Sequence, residues 1–245
     1  MDPRLHASRT GADGAARARA GAPVPFSHTR LTRNERTEVA KLYFRYGAMN
    51  SSKTALLLTA AYNYEERAQH PVIVKPGTDT KAGEAVSSRI GVERAVDVLL
   101  PADASLEAEL RAHRPFDQID AIFIDEAQFL TPAQVDEAFV IAVQHGIPVL
   151  CYGLRGDFMT RSFPGSLRLL EIAHSIEELK TICRCGSKAI FNGRVVGGVF
   201  VSHGEQVAID GQQADYESLC GRCYLEKVGP VQAAGVPEQE RPALF

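Results

Sequence analysis

Four short apolar runs, "KLYFRY" (41–46), "HPVIVK" (70–75), "IDAIFID" (119–125) and "IPVLCYG" (147–153), are separated by stretches with helical periodicity near 54–69, 105–113 and 132–145. Strands that alternate with helices are joined by crossovers rather than by hairpins, so the pattern predicts an α/β fold with a parallel sheet and helices on both faces. The runs are continuously apolar rather than alternating, as strands covered on both sides must be. In such sheets ligands gather beyond the carboxyl ends of the strands. The residues just after each run are therefore where chemistry is expected.

After the first run comes a polar turn and then a helical segment, "YGAMNSSKTALLL". A loop between a strand and a helix N-terminus aims backbone N–H groups at one point, and the helix dipole adds positive potential there, which suits phosphate. Gly47, Ala48, Met49, Asn50, Ser51, Ser52, Lys53 and Thr54 form such a loop, with Lys53 as a mobile charge and Thr54 as a hydroxyl of the kind that ligates nucleotide-bound Mg²⁺. The usual pattern places glycine immediately before the lysine, and this chain has Ser52 there. Taken alone the string also fits a polar turn capping a buried helix. The third run ends in Asp125-Glu126, two carboxylates on the same side of the sheet as the loop. One of such a pair can organise the metal while its neighbour accepts a proton from an attacking hydroxyl.

With 245 residues, 45% apolar and 23% charged, the chain has enough apolar material for an ordinary soluble domain with a small appendage. A net charge of -3 provides no field for sustained nucleic-acid binding, so a small-molecule partner is expected. No run reaches the roughly 18–20 apolar residues of a membrane span, and the start lacks a secretory apolar core, so no membrane partner and a cytoplasmic location are expected. Residues 1–39 read as a disordered N-terminal extension, although their arginines also resemble a transit peptide. Residues 40–181 read as the nucleotide-binding part, 182–227 as a second module, and 228–245 as a disordered tail.

The second module is marked by its cysteines. Cys183-x-Cys185 and Cys220-x-x-Cys223 present four thiolates on two short loops, which fits a closed, structural Zn²⁺ site better than a redox dithiol. The metal would staple a loop of about 34 residues (186–219) that could close over a substrate. Cys151, inside an apolar run, reads as a small core residue.

Taken together, "YGAMNSSKTALLL", "KPGTD" with "VSSRIG", "DEAQFL", "VLCYGLRGDF" with "FPGS", and "LKTICRCGSKA" with "YESLCGRCY" resemble the thymidine kinases of the bacterial and cytosolic type, across roughly 41–227. The resemblance implies a RecA-like P-loop domain plus a zinc ribbon whose lasso lies over the nucleoside, usually in a homotetramer. It implies ATP, Mg²⁺ and structural Zn²⁺ as cofactors, and thymidine and ATP as partners. Carried onto this sequence, residues 47–54 with Asp125, Glu126, Ala127 and Gln128 would serve ATP and Mg²⁺, and Glu126 would be the catalytic base. Phe129, the lasso residues Val207, Ala208, Ile209, Asp210 and Gly211, and Tyr216 would meet the nucleoside. Arg89, Arg155 and Arg161 are candidates to assist phosphoryl transfer.

This chain departs from the family pattern at Ser52, at Lys81 and around Asn192. If the residue before Lys53 needs a glycine-type backbone, serine would cost about 1 kcal/mol or more and loosen the grip on phosphate. The expectation is an active thymidine kinase with a raised KM for ATP. The alternative is a weakened or inactive nucleotide-binding pseudokinase. A nucleic-acid motor lacks parts here: there is room for one RecA-like lobe, and no basic stripe with interleaved aromatics.

Overall fold

The computed structural model describes residues 40–77, 85–88, 91–206 and 214–231. Each of the four apolar runs forms a strand: β1 Leu42–Tyr46, β2 Pro71–Pro76, β6 Ala121–Ile124 and β7 Val149–Gly153. Between β2 and β6 lie three short strands, β3 Ala85–Ser87, β4 Glu93–Ala95 and β5 Val98–Leu100. A further strand, β8 Ser175–Glu178, completes the sheet in the order β5-β2-β6-β7-β1-β8, every pairing parallel.

The three expected helices are α1 Lys53–Glu65, α2 Leu106–His113 and α3 Pro132–His145. Helix α3 starts on a capping box, Thr131 with Gln134, has proline in its first turn and ends at Gly146 in the left-handed region. A fourth helix, α4 Pro164–Ile172, begins within "FPGS". Proline at the start of a helix loses no backbone bond, which is why "FPGS" can open one.

Alternate residues of each central strand feed two separate cores. Leu42, Phe44, Val72, Val74, Ile122, Ile124, Val149 and Cys151 pack with Leu106, Val135, Ile141 and Leu169 from α2, α3 and α4. Ile73, Phe123, Leu150 and Tyr152 pack with Leu57, Leu58 and Ala61 of α1 on the other side. Burial on both faces explains the continuous apolar runs, and Cys151 is one of these core residues.

Beyond the main sheet lie β9 Thr181–Ile182 paired with β10 Lys188–Ala189, and a three-stranded antiparallel sheet of β11 Phe191–Val196, β12 Val199–Val201 and β13 Ala214–Leu219 in the order β12-β11-β13. Helix α5, Gly221–Lys227, follows. Residues 188–193 fall on β10 and β11, and 207–213 lie outside the described residues. Tyr224 of α5 donates its hydroxyl to the Phe158 carbonyl at 2.7 Å, fastening this small sheet to the loop after β7.

Candidate active site

The loop from β1 to α1 is built on a tight approach. A Cβ at Gly47 would sit 2.3 Å from Ser51 Oγ and 2.7 Å from the Leu179 carbonyl, so only glycine fits. Asn50 and Ser52 both occupy the left-handed region, at φ 65° and 58°. Ser52 precedes the first residue of α1 and makes no side-chain cap hydrogen bond. The position before Lys53 therefore does need the glycine-type conformation, and serine adopts it. Lys53 is buried and folds back onto the loop, donating to Ala48 O at 3.0 Å, Gly47 O at 3.4 Å and Ser51 Oγ at 3.3 Å. These acceptors hold the ammonium over the loop centre.

Thr54 Oγ1 donates to Asp125 Oδ2 at 3.1 Å, so the first turn of α1 meets the end of β6. Burial pushes the Asp125 carboxyl up to about 6, and the neighbouring Glu126 pushes the same way. The Glu126 backbone amide, Thr54 and Lys53 act against that rise. A buried acid with few compensating donors is suited to a cation. Glu126 itself lies at φ 49°, and Gln128, buried at 2% exposure, donates Nε2 to its Oε2 at 2.5 Å. The other end of that amide accepts from Leu154 N at 3.0 Å. Gly153 leaves room for it, since a Cβ there would lie 2.7 Å from Gln128 Oε1. Met49 through Ala55, Ser87, Ser88, Glu126 and Leu154 together line a cleft of about 280 Å³.

In the small sheet, the sulfur atoms of Cys183, Cys185, Cys220 and Cys223 all lie within 4.8 Å of one another. Zinc–sulfur bonds of about 2.3 Å in a tetrahedron put sulfurs a little under 4 Å apart, so the four fit such an ion. Ser187 donors hold Cys185 down to about 6 and the Cys185 amide lowers Cys183, while the neighbouring thiols push Cys223 up to about 12. Cys183 and Cys185 are thus the two thiols predisposed to carry thiolate charge.

The thymidine kinase family model matches residues 40–224, which span the loop, the acid pair and all four cysteines. The chain belongs to the thymidine kinase family. It is 42% identical over 193 residues to a thymidine kinase of Idiomarina loihiensis, covering 78% of this chain and 99% of that protein. Against the thymidine kinase of Mesorhizobium japonicum the identity is 43% over 193 residues, 78% of this chain and 94% of the other. Against that of Ruegeria pomeroyi it is 39% over 199 residues, 80% and 100%. Among solved structures, Bacteroides Pif1 bound to ssDNA matches with a TM-score of 0.34 and 15% identity over 57% of this chain and 38% of that one, too low to carry an argument.

Within this thymidine kinase family member the candidate site residues are not all in one place. Residues 49–54 and Glu126 share the cleft, with Gly47 and Ala48 beneath Lys53. Ala127 and Gln128 are buried behind Glu126. Phe129 is half-buried and packs edge-to-face on Phe163 at 5.6 Å. The Tyr216 hydroxyl accepts from Arg194 Nε at 3.0 Å. Residues 207–211, like Arg89 and Lys81, lie outside the described residues. Arg155 sits over the Tyr46 ring and Arg161 is exposed; neither lines the phosphate-loop cleft.

Two residues unmarked by sequence reasoning, Arg194 and Asp157, stand out beside Asn192, which the sequence marked only as a departure from the family pattern. Arg194, buried in β11, lies over the Phe158 ring and donates to the carbonyls of Glu205 and Gln206 at 2.7 and 3.0 Å. Asp157 accepts from Gln206 Nε2 at 3.1 Å as well as from Met159 N and Arg161 N. Asn192 joins Met49 N to the Gly156 carbonyl. The only sequence signal for Arg194 is a polar side chain in a short β segment, which is too common to use. Among the described residues, no helix is long and apolar enough to cross a membrane.

Proposed function

We propose that this protein transfers the γ-phosphoryl group of ATP to the 5′-hydroxyl of thymidine, giving dTMP and ADP. The observation that carries the reading is the shared cleft: Lys53, Thr54 and Glu126 line one cavity, and Thr54 is hydrogen-bonded to Asp125 behind it. Family membership supports the same activity. In this reading the amides of 47–54 and the Lys53 ammonium hold the β- and γ-phosphates, with Lys53 exchanging its loop carbonyls for phosphate oxygens. Thr54 and Asp125 would hold Mg²⁺, which supplies charge neutralisation on the phosphates when bound. The Glu126 carboxylate takes the proton of the 5′-hydroxyl as that oxygen bonds to the γ-phosphorus and the bond to the β,γ-bridging oxygen breaks. Gln128 keeps the carboxylate oriented. Phe129, Tyr216 and residues 207–211 are assigned to the nucleoside.

The same reading takes 40–181 as the nucleotide-binding part and 182–227 as the part stapled by a structural Zn²⁺ on the four cysteines, with cytoplasmic location and assembly as a homotetramer. The test is thymidine-dependent release of ADP and dTMP from MgATP. Glu126→Gln is expected to lower kcat by about 10²- to 10⁴-fold, the usual worth of a general base. Near-normal turnover in that variant would overturn the assignment of the base.

A further inference from the structure

The hydrogen bonds that Lys53 makes within the phosphate loop are not the whole of what holds it in place. Two of its non-glycine residues, Asn50 and Ser52, sit in the left-handed region, where L-residues are disfavoured, and such conformations persist only when their surroundings over-determine them. Part of those surroundings comes from the small sheet. Met49 N donates to Asn192 Oδ1 at 2.7 Å, and the Met49 carbonyl accepts a close hydrogen bond from Ser218 Oγ. Asn192 and Ser218 face one another across the β11–β13 pairing, and both are buried. One cross-strand pair therefore grips both polar groups flanking one residue of the loop. Asn192 is itself fixed by donating Nδ2 to Gly156 O at 2.9 Å. Two residues further along the same face, Arg194 pairs with Tyr216 and donates to the Glu205 and Gln206 carbonyls.

We infer that Asn192 and Ser218 are positioning residues for the phosphate loop, so that the grip on ATP is set by the small sheet as well as by the loop itself. A Met49 carbonyl left without its donor lets the backbone on either side rotate, and the N–H groups that follow lose their common aim. Ser218 lies two residues before Cys220, so the cysteine cluster anchors the strand that carries the clamp.

This inference rests on the reading of 47–54 as the ATP-phosphate loop, so MgATP binding to the full-length, metal-loaded wild type is measured first by calorimetry. No binding overturns that reading and the clamp with it. Binding without thymidine turnover overturns only the acceptor, and the clamp is then judged on binding alone. Ser218→Ala is expected to raise the Kd and KM for ATP about three- to tenfold, as for loss of one hydrogen bond, with thymidine KM within twofold. Ser218→Thr and Ser218→Val have the same shape and differ only in the hydroxyl, which guards against a variant that simply packs badly. The threonine variant should keep near-wild-type ATP affinity and the valine variant should lose it. Equal ATP affinities for these two, or an equal rise in both substrates' KM for Ser218→Ala, would overturn the clamp.

Discussion

Replacing Ser52 by glycine should stabilise the protein without tightening ATP. The serine is held at φ 58° and ψ 25°, exposed, with no side-chain cap hydrogen bond, so the substitution removes a steric penalty and no described hydrogen bond. A left-handed L-residue costs about 1–2 kcal/mol. Glycine gives back roughly 0.5–1 kcal/mol through its extra freedom in the unfolded chain. The net gain is about 0.5–1 kcal/mol, which for a folded region of this size is about 1–4 °C in Tm. A left-handed turn shared by free and bound protein costs the same in both, and that cost cancels in the affinity. The raised ATP KM expected from the missing glycine is thereby recast as a cost in stability. The assay is a thermal melt beside an ATP titration of initial rate. A fall in ATP KM of fivefold or more with no rise in Tm would refute the reasoning, because it would mean that serine leaves this conformation until nucleotide binds.

Asp125 supplies a prediction in pH. Its folded carboxyl lies at about 6 against 3.8, so its contribution favours folding below about pH 4 and is lost as pH rises through 6. At neutral pH the buried charge is therefore a cost to folding. Asp125→Asn should raise Tm at pH 8 far more than at pH 4, while abolishing Mg²⁺-dependent turnover; an equal gain at both pH values would contradict the assignment of burial as the cause. Gln128→Ala should lower kcat about 10- to 100-fold with ATP KM within twofold, the worth of a hydrogen bond to a charged group. Unchanged kcat would show that Glu126 keeps its place without the amide. Metal analysis should find about one zinc per chain held by the four sulfurs, and Cys220→Ser should lose it together with several degrees of Tm. A fully metallated Cys220→Ser protein would exclude that residue as a ligand.

What the sequence determined by itself is the set of features that rest on local pattern. Continuous apolar runs become doubly covered strands, and a parallel sheet sends the loops after β1 and β6 to the same edge. Lys53, Thr54, Asp125 and Glu126 were therefore legible as one site before any coordinates. Two close pairs of cysteines in one short module were legible for the same reason. The tertiary structure alone decided what depends on distant partners or on backbone angles. Strand β8 has an exposed, polar sequence, "SIEE", and is a strand only because β1 offers it an edge. The left-handed turn at Ser52 leaves no mark in a residue name. Asn192 and Ser218 reach Met49 across 143 and 169 residues. No periodicity records such a contact, because a side-chain hydrogen bond is set by which surfaces the fold brings together.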